Sequence, residues 1–299
     1  MRTLPFLLLA SLAIGTATAR AADLDYGVLR GPEYEPVAPA VDWNGGYFGA
    51  HAGYSSTSLG FRNVFGDMIR NALHDTSTET NLGASTLLRA QSVRVDHSSF
   101  GGFAGYNFQF DDIVLGIEAD YTRFGKTGTS FDTTGRSKVT GDLLETVYLN
   151  GSSSTRIQDY GTIRARAGYA MGSLLPFVTG GLAIGRATVV DKLTYQAYGF
   201  NQTTYNANQG LTTGKPAYVY NYGYTTFLQS SPDGSTPATD TLARAKTKVV
   251  GGITAGAGLE FALTQNILLR GEYQYVLFND FDGHKANVNT VRGGAAVKF

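Results

Sequence analysis

The groups of this 299-residue chain that could do chemistry are 24 Lys and Arg, 24 Asp and Glu, and four His. None of them falls in a G-x-S-x-G nucleophile elbow, an H-E-x-x-H zinc pair or a G-x-G-x-x-G dinucleotide turn. The absence of Cys removes a disulfide framework and a thiolate metal site. The run Gly210-Leu211-Thr212-Thr213-Gly214-Lys215-Pro216 imitates a phosphate-cradling loop, but it is one residue short and Pro216 stands where a metal-binding hydroxyl is needed. Equal numbers of acidic and basic residues give no argument for a nucleic-acid partner. No cofactor, metal centre or enzymatic activity is expected. What remains is charge placed at every second residue: Glu118 and Asp120, Arg164 and Arg166, Arg270 and Glu272, with Glu260 and Arg292.

That spacing is the signature of strands, whose successive side chains point to opposite faces. Ile113, Leu115, Ile117, Ala119 and Tyr121 alternate with Val114, Gly116, Glu118, Asp120 and Thr122. Ile163, Ala165, Ala167 and Tyr169 alternate with Thr162, Arg164, Arg166 and Gly168. Val249, Ile253, Ala255, Ala257, Leu259 and Phe261 oppose Lys248, Thr254 and Glu260; Leu269, Tyr273, Tyr275 and Leu277 oppose Arg270, Glu272 and Gln274. A final run puts Val291, Ala295, Val297 and Phe299 opposite Arg292 and Lys298, and weaker runs cover about 43–57, 98–110 and 176–187. Eight strands of about 10 to 14 residues are therefore predicted.

The connections alternate in length. Asp111-Asp112, Gly172-Ser173-Leu174 and Thr264-Gln265-Asn266 read as tight turns, whereas about 58–97, 125–158 and 188–246 are long polar stretches, with a shorter one near 280–288. Soluble domains rarely carry several such loops, whereas an outer-membrane barrel has short periplasmic turns, long external loops and an even strand count. The predicted fold is all-β, an eight-stranded antiparallel transmembrane β-barrel. No apolar run is long enough for a spanning helix, since Pro176, Gly180 and Gly181 interrupt the best internal candidate. Tyr54, Phe110, Tyr121, Tyr160, Tyr169, Phe261 and Tyr275 stand near run ends, where interfacial girdles form.

Lys or Arg on the lipid face at the midplane costs about 2–4 kcal/mol, so the charged rows must face the lumen. In the outward rows of the five clear runs only Arg123, at the loop end of its run, is charged. A symmetrical turn at Thr264–Asn266 sets Glu260 opposite Arg270, and Glu118 and Arg166 lie at similar heights. We expect Glu118, Asp120, Arg164, Arg166, Glu260, Arg270, Glu272 and Arg292 to form a paired lumen network, because a buried unpaired charge is costly. The alternative is a wider pore in which these groups sit in water.

The N-terminus reads differently. Met1-Arg2-Thr3, the apolar stretch Leu4 to Ile14 and the small residues up to Ala21 form a secretory signal peptide over 1–21. Residues 22–42, with Pro32, Pro36 and Pro39 among Asp23, Asp25, Glu33 and Glu35, read as an extended periplasmic tail ahead of a barrel at 43–299.

Trp43-Asn44-Gly45-Gly46-Tyr47-Phe48-Gly49, Gly102-Phe103-Ala104-Gly105-Tyr106-Asn107, Gly116-Ile117-Glu118-Ala119-Asp120-Tyr121, Arg164-Ala165-Arg166-Ala167-Gly168-Tyr169 and the terminal Phe299 resemble small alphaproteobacterial outer-membrane barrels. These belong to the OmpA-like and opacity-like superfamily, which includes rhizobial and Brucella major surface proteins and some haemin-binding barrels. The resemblance spans 43–299 outside the long loops and implies a Gram-negative outer-membrane location. OmpA itself is resembled only in its barrel, and with the chain stopping at Phe299 no peptidoglycan-binding domain is expected. The resemblance also implies that Phe299, behind Val291, Gly293, Ala295 and Val297, is the signal read by the barrel assembly machinery, with periplasmic chaperones as earlier partners. By the same precedent His74, His97 and His284, all in expected external loops, are candidates for haem or metal, while His51 falls on an inward row.

The stretch 188–246 is rich in Tyr, and Tyr218, Tyr220, Tyr222 and Tyr224 alternate with Val219, Asn221 and Gly223. We expect an external β-hairpin offering contact surface; an extra pair of spanning strands and a merely shielding loop are the alternatives. The expected role is a structural surface protein that supports envelope integrity and presents loops to lipopolysaccharide, host or environment. A narrow channel for small polar solutes and haemin capture are the competing roles.

Overall fold

A computed structural model describes residues 41–209, 211, 217–230 and 234–299. The expected signal peptide, the tail up to residue 40 and most of the phosphate-loop imitation lie outside the described residues. Along the chain run β1 (Gly45–Phe61), α1 (Gly66–Leu73), α2 (Ser77–Leu82), a 3-10 turn (Ala84–Thr86), β2 (Val93–Phe110), β3 (Ile113–Arg123), β4 (Thr127–Thr140), β5 (Leu143–Tyr169) and β6 (Leu174–Asn201). There follow α3 (Gln202–Gln209), β7 (Asn221–Tyr222), β8 (Tyr224–Thr226), β9 (Thr236–Pro237), β10 (Asp240–Ala262), β11 (Ile267–Phe278) and β12 (His284–Lys298). Among the described residues no helix is long and apolar enough to cross a membrane.

Eight strands close a ring in the order β1-β2-β3-β5-β6-β10-β11-β12, every neighbour antiparallel, with β12 returning to β1 from Tyr47↔Lys298 to Phe61↔His284. Closure leaves no free edge in the lipid-spanning part, as a bilayer requires. The outward rows are apolar: Phe48, Ile117, Ile163, Leu182, Ile253 and Val291 are all exposed, and in this setting exposure means contact with lipid. Phe110, Tyr169 and Phe261 point outward near the short turns, and Tyr54, Phe100 and Tyr121 near the loop side, giving two aromatic girdles. Tyr160 departs from the expected girdle. Its side chain is buried and donates to Gln274 Oε1 (3.0 Å), because residue 160 shares the inward parity of Thr162 and Arg164.

Above the belt the strands run far beyond their expected ends. β5 and β6 have 27 and 28 residues, and β4 pairs along β5 from Thr127↔Arg156 to Thr140↔Leu143, so 125–158 is mostly a hairpin rather than a loop. Its tip turns at Gly141, whose φ of +62° suits a residue without Cβ. Between 188 and 246, β6 and β10 stay paired as far as Tyr195↔Asp240, the expected hairpin extension. Only Asn221–Tyr222 and Tyr224–Thr226 of the Tyr-rich run are strand; β7 pairs with the outer end of β6, and among the described residues no extra strand is inserted between neighbours of the ring. The loop near 280–288 contracts, since β12 starts at His284.

The stretch 58–97 is likewise not an open polar loop. α1, α2 and the 3-10 turn fold onto the inner wall of the extension, burying Val64, Phe65, Ile69, Leu73, Leu82 and Leu88 against Val147, Leu149, Ile157, Val189, Leu193 and Phe278. The fit depends on Gly151 on β5, where a Cβ would stand 2.8 Å from the Phe65 ring. The Phe65, Ile69, Leu73 spacing of four is the sequence signal for this helix.

Candidate functional site

Period-two placement on β3, β5, β10, β11 and β12 delivers four guanidiniums and four carboxylates to one level of the lumen. Glu118 lies opposite Arg164, Glu260 opposite Arg270 and Glu272 opposite Arg292 across hydrogen-bonded pairs. Arg164 bridges Glu118, Glu272 and Asp120, the last at 2.9 Å. Arg270 reaches Glu118 and Glu260, each at 2.6 Å, and Arg292 joins Asp120 at 3.0 Å to Glu272 at 2.9 Å. Arg166 pairs with Glu260. All eight side chains are 0–3% exposed.

The expected equal height of Glu118 and Arg166 is not met. Glu118 faces Arg164, and Arg166 sits two residues nearer the periplasmic turn, because β5 ends at Tyr169 and Ile113 pairs with Tyr169. Side chains absent from the expected network complete it. Tyr47 donates to Glu118 (2.7 Å) and accepts from Arg166 (3.2 Å), while the Phe103 and Phe177 rings lie 4.1 and 4.2 Å from the Arg270 and Arg166 guanidinium carbons. Arg292 donates to His51 Nε2 at 3.3 Å. Each shares the inward parity of the charges, which is the signal that could have found them.

Beneath the network a second layer closes the periplasmic end. Trp43 is fully buried with Tyr47, Phe103, Val114, Leu175 and Leu268; its indole donates to Gly172 O at 3.2 Å and its backbone N–H to Gln109 at 2.7 Å. Lys298 caps the same end, its Nζ donating to Asn44 O at 3.0 Å. Phe299 lies on the outer surface, stacked on Phe48 with centroids 5.5 Å apart. Lys248 reaches Asp282 at 2.8 Å on the loop side.

The three candidate haem or metal histidines do not converge. His74 stands exposed at the end of α1, paired with Asp75 at 2.9 Å. His97 belongs to β2 rather than a loop, stacked on Phe124 at 4.4 Å and bonded to Thr57 at 3.0 Å. His284 is also a strand residue and is fully buried: Thr155 Oγ1 lies 2.7 Å from its Nδ1, and Asp191 lies 3.3 Å from its Nε2. Longer strands than the periodicity indicated account for both corrections. Among the described residues no group of three or more His, Asp or Glu is placed to hold a metal. Burial pushes the Asp191 carboxyl up, but hydrogen bonds from His284, Ser153 and Arg244 outweigh it and hold the group below the usual carboxylate range. That cluster ties β5, β6, β10 and β12 together above the membrane.

A closed ring with an apolar belt, a filled lumen, short turns at one end and long structured loops at the other defines an outer-membrane β-barrel. The chain belongs to the family described as Outer membrane protein beta-barrel domain, which it matches over residues 7–299. It is 29% identical to the 31 kDa outer-membrane immunogenic protein of Brucella melitensis, across 98% of both chains. It is 27% identical to the 22 kDa outer membrane protein of Rhizobium leguminosarum bv. viciae, over 88% of this chain and 82% of that one. Neisserial surface protein A aligns over 84% of this chain and 97% of its own, with 14% identity and a TM-score of 0.34. The protein is a surface protein of the Gram-negative outer membrane.

Proposed function

We propose that this barrel is a structural and interactive element of the envelope, closed to solute and presenting a folded extracellular surface. The observation that carries the reading is the lumen network. Four Arg and four carboxylates, all buried, occupy the cross-section that a channel would need, and an eight-stranded barrel is only wide enough for side chains to fill. The Trp43 layer below and the helical cap above support it. Outer-leaflet lipid and lipopolysaccharide contact the belt in this reading, and a host or environmental ligand meets the cap. Planar-bilayer conductance of the refolded protein tests it. The wild type is expected to be silent, with leak in a Glu260→Gln, Arg270→Ala double variant. Steady wild-type conductance would replace this reading with a narrow channel for small polar solutes.

The same reading makes Phe299 an assembly signal, recognised by the barrel assembly machinery after periplasmic chaperones deliver the chain. Deletion of Phe299 is expected to lower outer-membrane yield while the purified variant still refolds in detergent; unchanged insertion in cells would remove the assembly role.

A further inference from the structure

The extracellular extension holds a second concave site, separate from the lumen network. A cavity of about 350 Å³ lies between the start of α2, the inner faces of β5, β6 and β10, and the segment leading into β7. Such a volume is in the range of small-molecule sites. Tyr195, Tyr220 and Tyr222 line it with Leu73 and Leu143, and among the described residues Asp240 is the single charged one in the lining. Asp240 pairs directly across from Tyr195.

The distribution of spent and unspent polar groups decides what such a site can take. Thr76 Oγ1 donates to Leu73 O at 2.7 Å and accepts from Glu79 N at 3.3 Å. The hydroxyls of Ser77 and Tyr222 both donate to Glu145, which also accepts from Asn81. Among the described residues, the Asp240 carboxylate meets no donor and no cation. An ionised carboxylate only accepts hydrogen bonds, and among the described residues no Lys, Arg or His lines the cavity. The site therefore disfavours anions, and the hydroxyls left for a ligand include the phenols of Tyr195 and Tyr220. It offers a negative charge beside tyrosine rings, whose faces attract cations. Burial and then the charge of Asp240 push the Tyr195 phenol up, so that ring stays neutral at ordinary pH.

We propose that this Tyr195–Tyr220–Tyr222–Asp240 cavity binds a small organic cation, an alkylated ammonium group seated against the tyrosines with its charge on Asp240. The site rests on the surface-presenting reading only in being open to the exterior, and binding in detergent is measured independently of whether the lumen conducts.

Calorimetric titration of the refolded full-length protein with choline chloride tests the proposal, in a polyoxyethylene detergent that carries neither sugar nor ammonium. Saturable binding is expected below about 10 mM. Asp240→Asn should weaken it about tenfold, and Tyr195→Leu about fivefold. Both variants should keep the wild-type circular dichroism spectrum, since Asp240 is exposed and Tyr195 only half-buried. Absence of choline binding overturns the proposal, as does equal affinity in Asp240→Asn. Saturation by glucose or acetate in place of choline would show that the cavity selects hydroxyls or anions and would overturn it as well.

Discussion

Arg164→Ala should destabilise the folded barrel by about 3–5 kcal/mol, the usual consequence of removing one partner from a buried ion pair. Arg164 is fully buried and bridges Glu118, Asp120 and Glu272, carboxylates drawn from β3 and β11. Without it, three guanidiniums face four carboxylates in a space closed below by the Trp43 layer and above by the cap. Neither solvent nor a neighbouring cation can compensate quickly. The loss is read as a lower urea midpoint for refolding into lipid vesicles. Adding Glu272→Gln to Arg164→Ala should restore part of it, because the surplus charge is then gone; this is the non-additivity expected of one network. Arg123→Ala is the control, since that side chain is exposed at the outer end of β3 and should change stability by less than about 0.5 kcal/mol. A midpoint for Arg164→Ala equal to that of Arg123→Ala would mean that the lumen charges are solvated.

Phe65→Ala should open the extracellular cap while leaving the membrane barrel closed. Phe65 is 1% exposed, seated on Gly151 within the cluster that joins α1 to β5 and β6. Truncating a buried Phe costs about 3–5 kcal/mol through lost burial and the cavity left behind. The cap packs on the extension and contributes no strand to the closed ring, so the loss falls on local rather than global unfolding. Protease added to intact folded protein should then cut within 62–92 about two to four orders of magnitude faster, roughly the population change that this free energy implies. The eight-stranded ring should still migrate as a folded, heat-modifiable band. Gly151→Val probes the same contact from the other side, since its branched side chain would meet the Phe65 ring. Wild-type proteolysis in both variants would show that the helices are not docked.

Within the membrane nearly everything was legible in the sequence. The alternation of Ile113 to Tyr121, Ile163 to Tyr169 and Leu269 to Leu277 with charged partners has one physical source: lipid on one face and a packed lumen on the other. The same alternation picked out all eight charges now seen in ion pairs, and Tyr47, Phe103 and Phe177 on the same parity complete their surroundings. Above the membrane the signal fades, because water bathes the outer face and the inner face is covered by the chain's own helices. Thr188, Val190 and Lys192 therefore alternate with Ala187, Val189, Asp191 and Leu193 without a clean contrast, and β6 passes unnoticed for its last turns of pleat.

What the sequence by itself determined, then, is the strand faces, the strand count, the three tight turns and the membrane location, all set by local periodicity and by the bilayer. Only the tertiary structure decided which charge meets which, that Glu118 takes Arg164 while Arg166 goes to Glu260, since these depend on register between strands distant in sequence. It alone decided that His97 and His284 are strand residues and that Phe65, Ile69 and Leu73 dock on Val147 and Leu149. Docking is a contact between segments some eighty residues apart, and no local pattern encodes it; it exists because β4, β5 and β6 rise beyond the bilayer and leave an apolar inner wall that water would otherwise cover.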